Sequence, residues 1–370
     1  MRKVIVGVIG CGVISNIYLK NLTGLFGGIV EVKAVADLMP EAARKQADKY
    51  GIPFAYTPDE LFADEEIEIV VNLTNPKGHG PLNMAALRAG KHVYVEKPFA
   101  VELEEAAEVL ALARDKGLRV GGAPDTFLGG GLQTCRKLID EGAIGKPLHA
   151  HALIVMVGPA DYDHPNPQAF LGKGGGPLLD LGPYYVAALA SIFGPVTRVS
   201  GSAQTPEAEI VIRNPQSPKL GQSFVVESPT NVTGVLDFAS GLVASVTATN
   251  GSFGYHPRLE VYGTEGILTM NDPNMFGGDV TLFRASTYAK EAVAAAHPMN
   301  DDSRGAGVAD MARAIIGGGA HRANGELAYH SLEVMHAIVK SSQEGRHVSI
   351  ESRFERPAPV AETIDVGTWG

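Results

Sequence analysis

Hydrophobic residues in the first third of the chain occur in short continuous runs, and each run is followed by a stretch with the polarity pattern of a helix. Short apolar runs rich in β-branched residues are typical of strands buried on both faces, and their alternation with helices predicts a doubly wound parallel sheet. The predicted strands are 4–9, 30–36, 67–72, 91–95 and 118–122. The predicted helices begin after Ser15 and near Pro40, run up to Ala89, and cover 102–116.

The pattern changes near residue 124. A helix is predicted over 127–141, and two more over 308–316 and 326–343 close this part of the chain. Between them, glycine-containing turns join hairpin-like segments, so we predict strands at 148–157, 232–238, 242–249, 259–262 and 267–270. The sequence therefore predicts an α/β domain over 1–123, an α+β domain over 124–356 and a loose C-terminal tail over 357–370.

Composition agrees with two packed domains. The chain has 370 residues, which is too long for one ordinary hydrophobic core. Of these residues 45% are hydrophobic and 19% charged, a composition that excludes a disordered protein. A net charge of −10 argues against general binding to nucleic acid or to an anionic membrane. The only two cysteines, Cys11 and Cys135, exclude a disulfide framework and a cysteine-built zinc site, so we expect a cytoplasmic protein.

A glycine-containing turn joins the first predicted strand to the first helix. Gly10 permits a tight bend there, and Gly12 lets backbone N–H groups approach a pyrophosphate at the helix N-terminus. Ser15 replaces the third glycine of the usual pattern and is still small enough for close helix packing. Gly10, Gly12, Val13 and Ile14 are therefore predicted to bind a dinucleotide, although such a turn alone is a weak signal.

The N-terminus also allows another interpretation. Met1, Arg2 and Lys3 are followed by seven apolar residues and Cys11, which imitates a bacterial lipoprotein signal. Seven residues lie at the lower limit of the ~7–15 residues of such a segment. Cleavage at this cysteine would also remove Gly10 and the turn it forms, so the dinucleotide interpretation is favoured.

Asp37 ends the second predicted strand, at about the ~20-residue offset where an acidic residue binds the ribose hydroxyls of a dinucleotide. No basic residue follows until Arg44, so a 2′-phosphate would face a carboxylate without an arginine partner. This favours NAD over NADP. Alternatively, Asp37 caps the helix that begins near Pro40, and both roles can hold together.

Two further strand ends carry polar residues. In open α/β sheets ligands bind beyond the carboxyl ends of the strands, so we predict that Thr74, Asn75 and Lys97 join the cofactor site. Glu96 is placed in the same site but is interpreted as structural, pairing with Lys97 or with a backbone amine, because an unpaired buried charge is costly. His79 opens the intervening helix and either lines the nicotinamide region or is a surface histidine.

With these motifs in place, the chain resembles the Gfo/Idh/MocA family of oxidoreductases over nearly its whole length. The resemblance rests on the glycine turn and on three further motifs, which are Thr74-Asn75-Pro76-x-x-His79, Glu96-Lys97-Pro98, and Gly174-Gly175-Gly176 followed by Asp180-x-Gly182-x-Tyr184. It implies an N-terminal Rossmann domain, a C-terminal domain with a large open, mainly antiparallel sheet, and a homodimer or homotetramer formed through that sheet. The implied activity is that of an NAD(P)-dependent dehydrogenase acting on a sugar, polyol or cyclitol.

The resemblance also implies the catalytic residues. The family's lysine falls on Lys97 and its aspartate on Asp180, whereas its usual catalytic histidine falls on Tyr184, which leaves the acid/base catalyst open. Asp180 and Tyr184 are spaced i, i+4 and would share one face of a helix. A free tyrosine titrates near ~10 and a nearby ammonium stabilises its phenolate, so we predict that Lys97 activates Tyr184 while Asp180 orients the substrate.

A polar, proline-rich loop precedes the triple glycine. Tyr162, His164 and Asn166 on this loop are predicted to contact the substrate, together with Lys97 and the other catalytic residues, because binding groups concentrate on loops. His164 is also the alternative acid/base. Histidine pairs elsewhere have no carboxylate at a convincing ligand spacing, so no metal site is predicted.

Two other function classes stay open at this point. A redox-neutral enzyme would begin with the same oxidation, then cleave a glycosidic bond or release water, and finally restore the cofactor. A non-catalytic regulator would keep the cofactor fold as a sensor, but the presence of Lys97, Asp180 and Tyr184 argues against a degenerate site.

Overall fold

The computed structural model describes residues 2–158, 167–252, 254–270 and 272–370, so Tyr162, His164 and Asn166 lie outside the described residues. The first part of the chain supplies six strands, which are β1 (Val4–Ile9), β2 (Val30–Ala36), β3 (Phe54–Tyr56), β4 (Ile69–Asn72), β5 (His92–Val95) and β6 (Val120–Gly122). The helices between them are α1 (Ser15–Thr23), α2 (Pro40–Tyr50), α3 (Pro58–Ala63), α4 (Pro76–Arg88) and α5 (Leu103–Lys116). The strands form one parallel sheet in the order β3-β2-β1-β4-β5-β6.

This sheet confirms the predicted doubly wound domain, and the sequence pattern missed only β3 and α3. β3 has three residues, too few for a recognisable apolar run, and its Phe54 ring stacks on Tyr56 at 5.2 Å. α3 has six residues, and Thr57 and Glu60 form a reciprocal capping box at its start.

The rest of the chain forms a second, larger sheet. Its helices are α6 (Gly130–Asp140), α7 (Pro167–Leu171), α8 (Gly176–Phe193), α9 (Ala306–Gly317) and α10 (Gly325–Glu344). Its strands are β7 (Pro147–Met156), β8 (Val196–Gln204), β9 (Glu209–Val211), β10 (Ser223–Val225), β11 (Asn231–Phe238), β12 (Val243–Asn250), β13 (His256–Gly263), β14 (Gly266–Met270), β15 (Val280–Arg284), β16 (Ala289–Val293) and β17 (Val348–Ser349). Nine of them form one sheet in the order β16-β15-β14-β13-β7-β12-β11-β8-β17, and β9 pairs with β10. Within the nine-stranded sheet only β7 and β12 pair in parallel, which confirms the expected open, mainly antiparallel sheet.

Two apolar helices bring the parts together. α8 packs on β7 and β12, and almost every residue from Gly176 to Phe193 is buried. α10 packs on β8 and α8, and it also contacts α5 and β6 of the first sheet. The N-terminal half of α8 is thereby held near the carboxyl edge of the parallel sheet, where the predicted catalytic residues belong. Among the helices of the described residues, none combines the length and apolar character needed to cross a membrane.

The chain returns to the first sheet late in the sequence. α9 contacts β1 and β6, although residues 306–317 lie within the predicted second domain. The division at residue 123 stays a prediction, but packing assigns α9 to the parallel sheet rather than to the antiparallel one.

The prediction of a loose tail after Pro357 is wrong. The backbone oxygen of Pro357 accepts a hydrogen bond from Arg136 at 2.6 Å, and the backbone N–H of Val360 donates to Gln133 at 2.8 Å. Trp369 is only 3% exposed, and its Nε1 donates to Asp310 of α9 at 2.7 Å. Burial of the chain's single tryptophan and satisfaction of these backbone groups hold this segment against the rest of the chain.

Buried His330 makes the stability of the protein sensitive to acid. Its Nε2 accepts a hydrogen bond from the backbone N–H of Val196 at 3.0 Å and must therefore carry no proton. Burial lowers the pKa of His330 to about 4, below its ordinary value of 6.5. Since the unfolded state binds this proton more readily, stability is fully present above pH 6.5 and is lost as the pH falls towards 4, by at most about 3 kcal/mol.

The free energy of unfolding, measured between pH 7.5 and about pH 4, should therefore depend more steeply on pH in the wild type than in His330→Gln. Glutamine stays neutral and can still offer an oxygen to the Val196 N–H. Other buried histidines contribute equally to both proteins, so the difference isolates His330. Identical pH profiles would contradict the assignment.

Candidate active site

The glycine turn after β1 uses its two glycines differently. Gly10 has φ +97°, and a Cβ built on it would lie 2.7 Å from the backbone carbonyl of Leu73. Gly10 is therefore required where β1 passes the end of β4. A Cβ built on Gly12 meets no atom of the described residues within 4 Å beyond its chain neighbours, so Gly12 borders open space. An open backbone surface at this place fits the approach of a pyrophosphate.

That open space is a cleft of about 600 Å³ at the carboxyl edge of the parallel sheet. Seven of the residues predicted to bind the cofactor line it, namely Gly10, Gly12, Val13, Ile14, Asp37, Thr74 and Asn75. Sequence reasoning missed the other lining residues, which are Ile9, Leu38, Pro58, Leu73, Lys77, Gly78, Pro81 and Leu82. Half of these directly neighbour a predicted residue in the chain, and that adjacency was the signal available in the sequence.

Asp37 ties the glycine turn to β2. Its Oδ2 accepts a hydrogen bond from the backbone N–H of Cys11 at 2.8 Å, and its Oδ1 accepts from the N–H of Met39 at 2.9 Å. Met39 is the N-cap residue of α2, so the carboxylate also steadies the approach to that helix. A carboxylate accepts about four hydrogen bonds, so both of its oxygens keep capacity for ribose hydroxyls.

The two glycines support a matched test of the cleft. Gly12→Ala should raise the Kd for NADH by about tenfold or more, because the added methyl occupies the space where backbone N–H groups meet the pyrophosphate. Its melting temperature should match that of the wild type. Gly10→Ala should instead lower stability by at least about 1 kcal/mol, since both its φ and the Leu73 contact oppose a Cβ. Fluorescence titration with NADH and thermal unfolding measure the two effects, and wild-type affinity in Gly12→Ala would contradict this cleft as the cofactor site.

Two predicted cofactor contacts lie beneath the cleft instead of lining it. His79 is 0% exposed, and its ring nitrogens lie 2.7 Å from the carbonyl oxygen of Pro98 and 3.1 Å from that of Thr74. Glu96 is also buried and accepts hydrogen bonds from the Tyr18 hydroxyl at 2.9 Å and from the backbone N–H of Lys97 at 2.8 Å. Both side chains hold the turn that carries Lys97, and neither offers surface to a ligand.

The structure brings Lys97, Asp180 and Tyr184 together. The Lys97 ammonium lies 2.8 Å from Asp180 Oδ1 and 2.9 Å from the backbone oxygen of Asp180. It also lies 5.5 Å from the centre of the Tyr184 ring. α8 begins at Gly176, whose φ of +84° needs a glycine, and Pro177 follows at the first helical turn. Asp180 and Tyr184 are the fourth and eighth residues after this start, one helical turn apart, and both side chains lie towards the end of β5.

The charges of this cluster stabilise one another. Burial alone would lower the pKa of Lys97, but the Asp180 carboxylate, with Tyr184 and Glu96, raises it above its ordinary value. The ammonium is therefore charged at neutral pH. Burial raises the pKa of Tyr184 above its ordinary value, and Lys97 and Arg304 oppose this only in part. Lys97 acts in the expected direction, but burial outweighs it, so Tyr184 is a neutral phenol at neutral pH.

Arg304 is a member of the site that sequence reasoning missed. Its guanidinium lies beside the Tyr184 phenol and interacts with it directly. Three oxygens hold it there: Asp302 Oδ1 at 2.6 Å, and the side-chain and backbone oxygens of Asn274 at 2.6 and 3.1 Å. Burial alone would lower the pKa of Arg304, but Tyr184 and Asp302 raise it above its ordinary value. An isolated arginine between a strand and a helix carries no motif, so the sequence offered no signal for it.

Within the described part of the chain, no three histidine, cysteine or acidic side chains are grouped as metal ligands would be. Lys97, Asp180, Tyr184 and Arg304 instead form a compact set of two cations, one carboxylate and one phenol. Such a set can hold a hydroxyl group by hydrogen bonds and exchange its proton.

Both parts of the chain match known protein families, and the whole chain is similar in sequence to enzymes with assigned names. Residues 4–122 match the oxidoreductase family with an NAD-binding Rossmann fold, and residues 132–269 match the GFO/IDH/MocA C-terminal domain. The chain is 28% identical over 354 residues to 1,5-anhydro-D-fructose reductase of Ensifer adhaerens, covering 94% of this chain and 98% of that protein. It is 26% identical over 275 residues to inositol 2-dehydrogenase/D-chiro-inositol 3-dehydrogenase of Lactiplantibacillus plantarum, covering 72% and 71%.

A solved structure shows the same fold over nearly the whole length. Levoglucosan dehydrogenase in complex with NADH and L-sorbose superposes with a TM-score of 0.82 at 22% identity, covering 95% of this chain and 100% of that one. The two matched regions, with the glycine turn and the lysine and aspartate already described, identify the chain as a member of the Gfo/Idh/MocA family of NAD-binding oxidoreductases.

Proposed function

We propose that this protein is an NAD-dependent dehydrogenase that transfers a hydride between a hydroxyl-bearing carbon of a sugar, polyol or cyclitol and nicotinamide. The observation that carries the proposal is the 2.8 Å ion pair between Lys97 and Asp180 beside the Tyr184 ring. Relatives that act on anhydrofructose and on inositol support the substrate class.

NAD fits the residues that line the cleft. Gly12 leaves open backbone where the pyrophosphate would lie, Asp37 can accept hydrogen bonds from the adenosine ribose, and Thr74 and Asn75 border the far end. Leu38, next to Asp37, offers no positive charge to a 2′-phosphate, which favours NAD over NADP. When bound, NAD supplies the acceptor for the hydride that leaves the carbinol carbon. His79 and Glu96 act as positioning residues for the Lys97 turn.

Lys97 and Asp180 hold the reacting hydroxyl. The charged ammonium donates a hydrogen bond to the hydroxyl oxygen, and the carboxylate fixes the ammonium and accepts from a neighbouring hydroxyl. During oxidation the hydroxyl proton passes to the oxygen of Tyr184, and during reduction the phenol returns it. Arg304 and Lys97 stabilise the phenolate that the oxidative direction needs. Because burial raises the pKa of Tyr184, the neutral phenol is ready to donate in the reductive direction at neutral pH.

Incubation with sugars, anhydro-sugars, polyols and cyclitols, with NAD or NADP, tests this function when NADH absorbance and carbohydrate products are followed together. Accumulation of NADH with an equal amount of ketone is the expected result. Product formed without net NADH would instead indicate the redox-neutral alternative. If neither NADH nor product forms with any compound although NADH binds, the protein is the non-catalytic regulator and the proposal is wrong.

We also propose that two or four copies associate through the nine-stranded sheet. One face of this sheet is covered by α8 and α10, while Val235 and Val243 on its other face are 39% and 38% exposed. Light scattering after size exclusion tests this, and replacing Val235 with Glu should produce monomers.

The free, buried thiols of Cys11 and Cys135 support a cytoplasmic location, which fractionation of the source cells tests.

A further inference from the structure

The turn between β14 and β15 organises the side of the catalytic cluster that the parallel sheet does not reach. Asp272 is 5% exposed, and its Oδ1 accepts a hydrogen bond from the backbone N–H of Asn274 at 3.0 Å. Asn274 in turn holds Arg304 beside Tyr184 through two oxygens. One short turn therefore fixes the position of a side chain that touches the catalytic phenol.

The same turn also holds Tyr255, the residue before β13. The Tyr255 hydroxyl donates a hydrogen bond to Asp272 Oδ2. Burial, together with the Asp272 carboxylate, raises the pKa of Tyr185, the neighbour of Tyr184 on α8. β13 pairs with β7 so that His256 lies opposite Val155, which places Tyr255 at the sheet edge where β7 ends. The hydrogen bond to Asp272 thus ties Tyr255 to the turn that holds Arg304 beside Tyr184, and the strand register fixes its backbone at the end of β7.

Burial and the Asp272 carboxylate raise the pKa of Tyr255, and Tyr184 and Asp180 of the cluster are near enough to contribute to the same shift. The residue is nevertheless 54% exposed. The hydrogen bond from its hydroxyl to the buried Asp272 carboxylate favours one orientation of the ring, whose exposed part is an apolar surface. Fixed aromatic surfaces beside a polar cluster bind molecules that present both an apolar face and a polar edge.

We propose that Tyr255 is a substrate-binding residue whose ring packs against the C–H face of a six-membered ring. This inference rests on the proposed function and narrows its substrate class to pyranoses and cyclitols in preference to open-chain polyols. A pyranose or cyclitol has a rigid face of C–H groups and a rim of hydroxyls. An open-chain polyol has no such continuous face and loses more conformational entropy when it is held flat.

Three variants test the assignment. Tyr255→Leu removes the aromatic face, Tyr255→Phe keeps the ring and removes only its hydroxyl, and Tyr288→Leu makes the same change at a tyrosine that is 85% exposed near β16. The KM values for myo-inositol and methyl glucoside are compared with that for glucitol. Tyr255→Leu should raise the ratio of cyclic to open-chain KM by about tenfold, with kcat changed less than KM. Tyr255→Phe keeps the aromatic face but loses the hydrogen bond to Asp272, so it should raise this ratio by about threefold, less than Tyr255→Leu, and Tyr288→Leu should not change it.

A binding measurement separates this inference from the proposed function. Saturation-transfer NMR on the wild type with NADH should show stronger transfer to the C–H face of myo-inositol than to glucitol, and Tyr255→Leu should lose the difference. If no compound is turned over, the proposed function is wrong while this binding comparison still decides the role of Tyr255. Equal effects of Tyr255→Leu on cyclic and open-chain compounds, or no binding of any cyclic compound, would overturn the inference.

Discussion

Replacing Lys97 with Met should lower kcat by at least about a thousandfold while the affinity for NADH changes by less than about threefold. Methionine nearly matches the volume of lysine but donates no hydrogen bond. The reacting hydroxyl then loses its fixed donor, and Asp180 loses the ammonium that lies 2.8 Å away. NADH affinity should persist because the cleft is formed by the glycine turn, Asp37 and Thr74, none of which needs the Lys97 ammonium.

Lys91→Met is the matched control for this variant. Lys91 is also buried, and its ammonium donates a hydrogen bond to the backbone oxygen of Asp64 at 2.6 Å. Lys91 lies at the N-terminal end of β5, whereas Lys97 follows the C-terminal end. This control should keep wild-type kcat even if its melting temperature falls. Single-turnover hydride transfer and NADH titration should be measured for both variants. Turnover by Lys97→Met within tenfold of the wild type would remove Lys97 from the mechanism.

The cofactor-binding part of the site was predictable because the position of its residues follows from the local sequence pattern. The glycine turn, Asp37 and Thr74 all follow short apolar strands, and parallel strands bring their carboxyl ends to one edge regardless of the loops between them. The spacing of Asp180 and Tyr184 on α8 follows from helix geometry alone. These residues needed no knowledge of how the second part of the chain packs.

The residues that sequence reasoning missed depend on long-range packing. Arg304 lies beside Tyr184 because Asn274 holds it, and Asp272 of the same turn holds Tyr255; a turn of this kind leaves no periodic pattern in the sequence. The docked tail around Trp369 was missed for a related reason, since it is held by contacts with α9, which is distant in the chain. The positions of Arg304, Tyr255 and Trp369 all depend on partners that are distant in the chain.

His79 and Tyr184 show how packing changes the role predicted from a residue type. His79 was predicted either to line the nicotinamide region or to lie at the surface, but complete burial between two carbonyl oxygens makes it a support for the Lys97 turn. A tyrosine beside a lysine suggests a phenolate, but burial raises the pKa of Tyr184 above its ordinary value despite Lys97 and Arg304. In both cases burial opposes the charged form and decides the outcome.

This balance leads to the second large effect. Tyr184→Phe should lower kcat for alcohol oxidation by about a hundredfold or more, because phenylalanine keeps the packing of the ring and removes the proton acceptor. In the wild type, kcat/KM for oxidation should rise with pH through the neutral and alkaline range without levelling off below about pH 10, since only the deprotonated phenol accepts the proton. This rise should be absent in Tyr184→Phe. Tyr329→Phe on α10, which removes a phenol whose charged neighbours are Glu333 and Glu104 and not the residues of the cluster, should keep the wild-type profile.

Tyr184→His distinguishes a proton carrier from a residue that only packs. An imidazole titrates near ~6.5, so a histidine at this position should recover much of the activity that Tyr184→Phe loses and should move the rise of kcat/KM towards neutral pH. The nearby cations Lys97 and Arg304 favour the neutral imidazole, which is the form that accepts a proton. If Tyr184→Phe instead keeps the alkaline rise and His164→Gln loses it, the proton carrier is His164, and Tyr184 serves only to shape the substrate pocket.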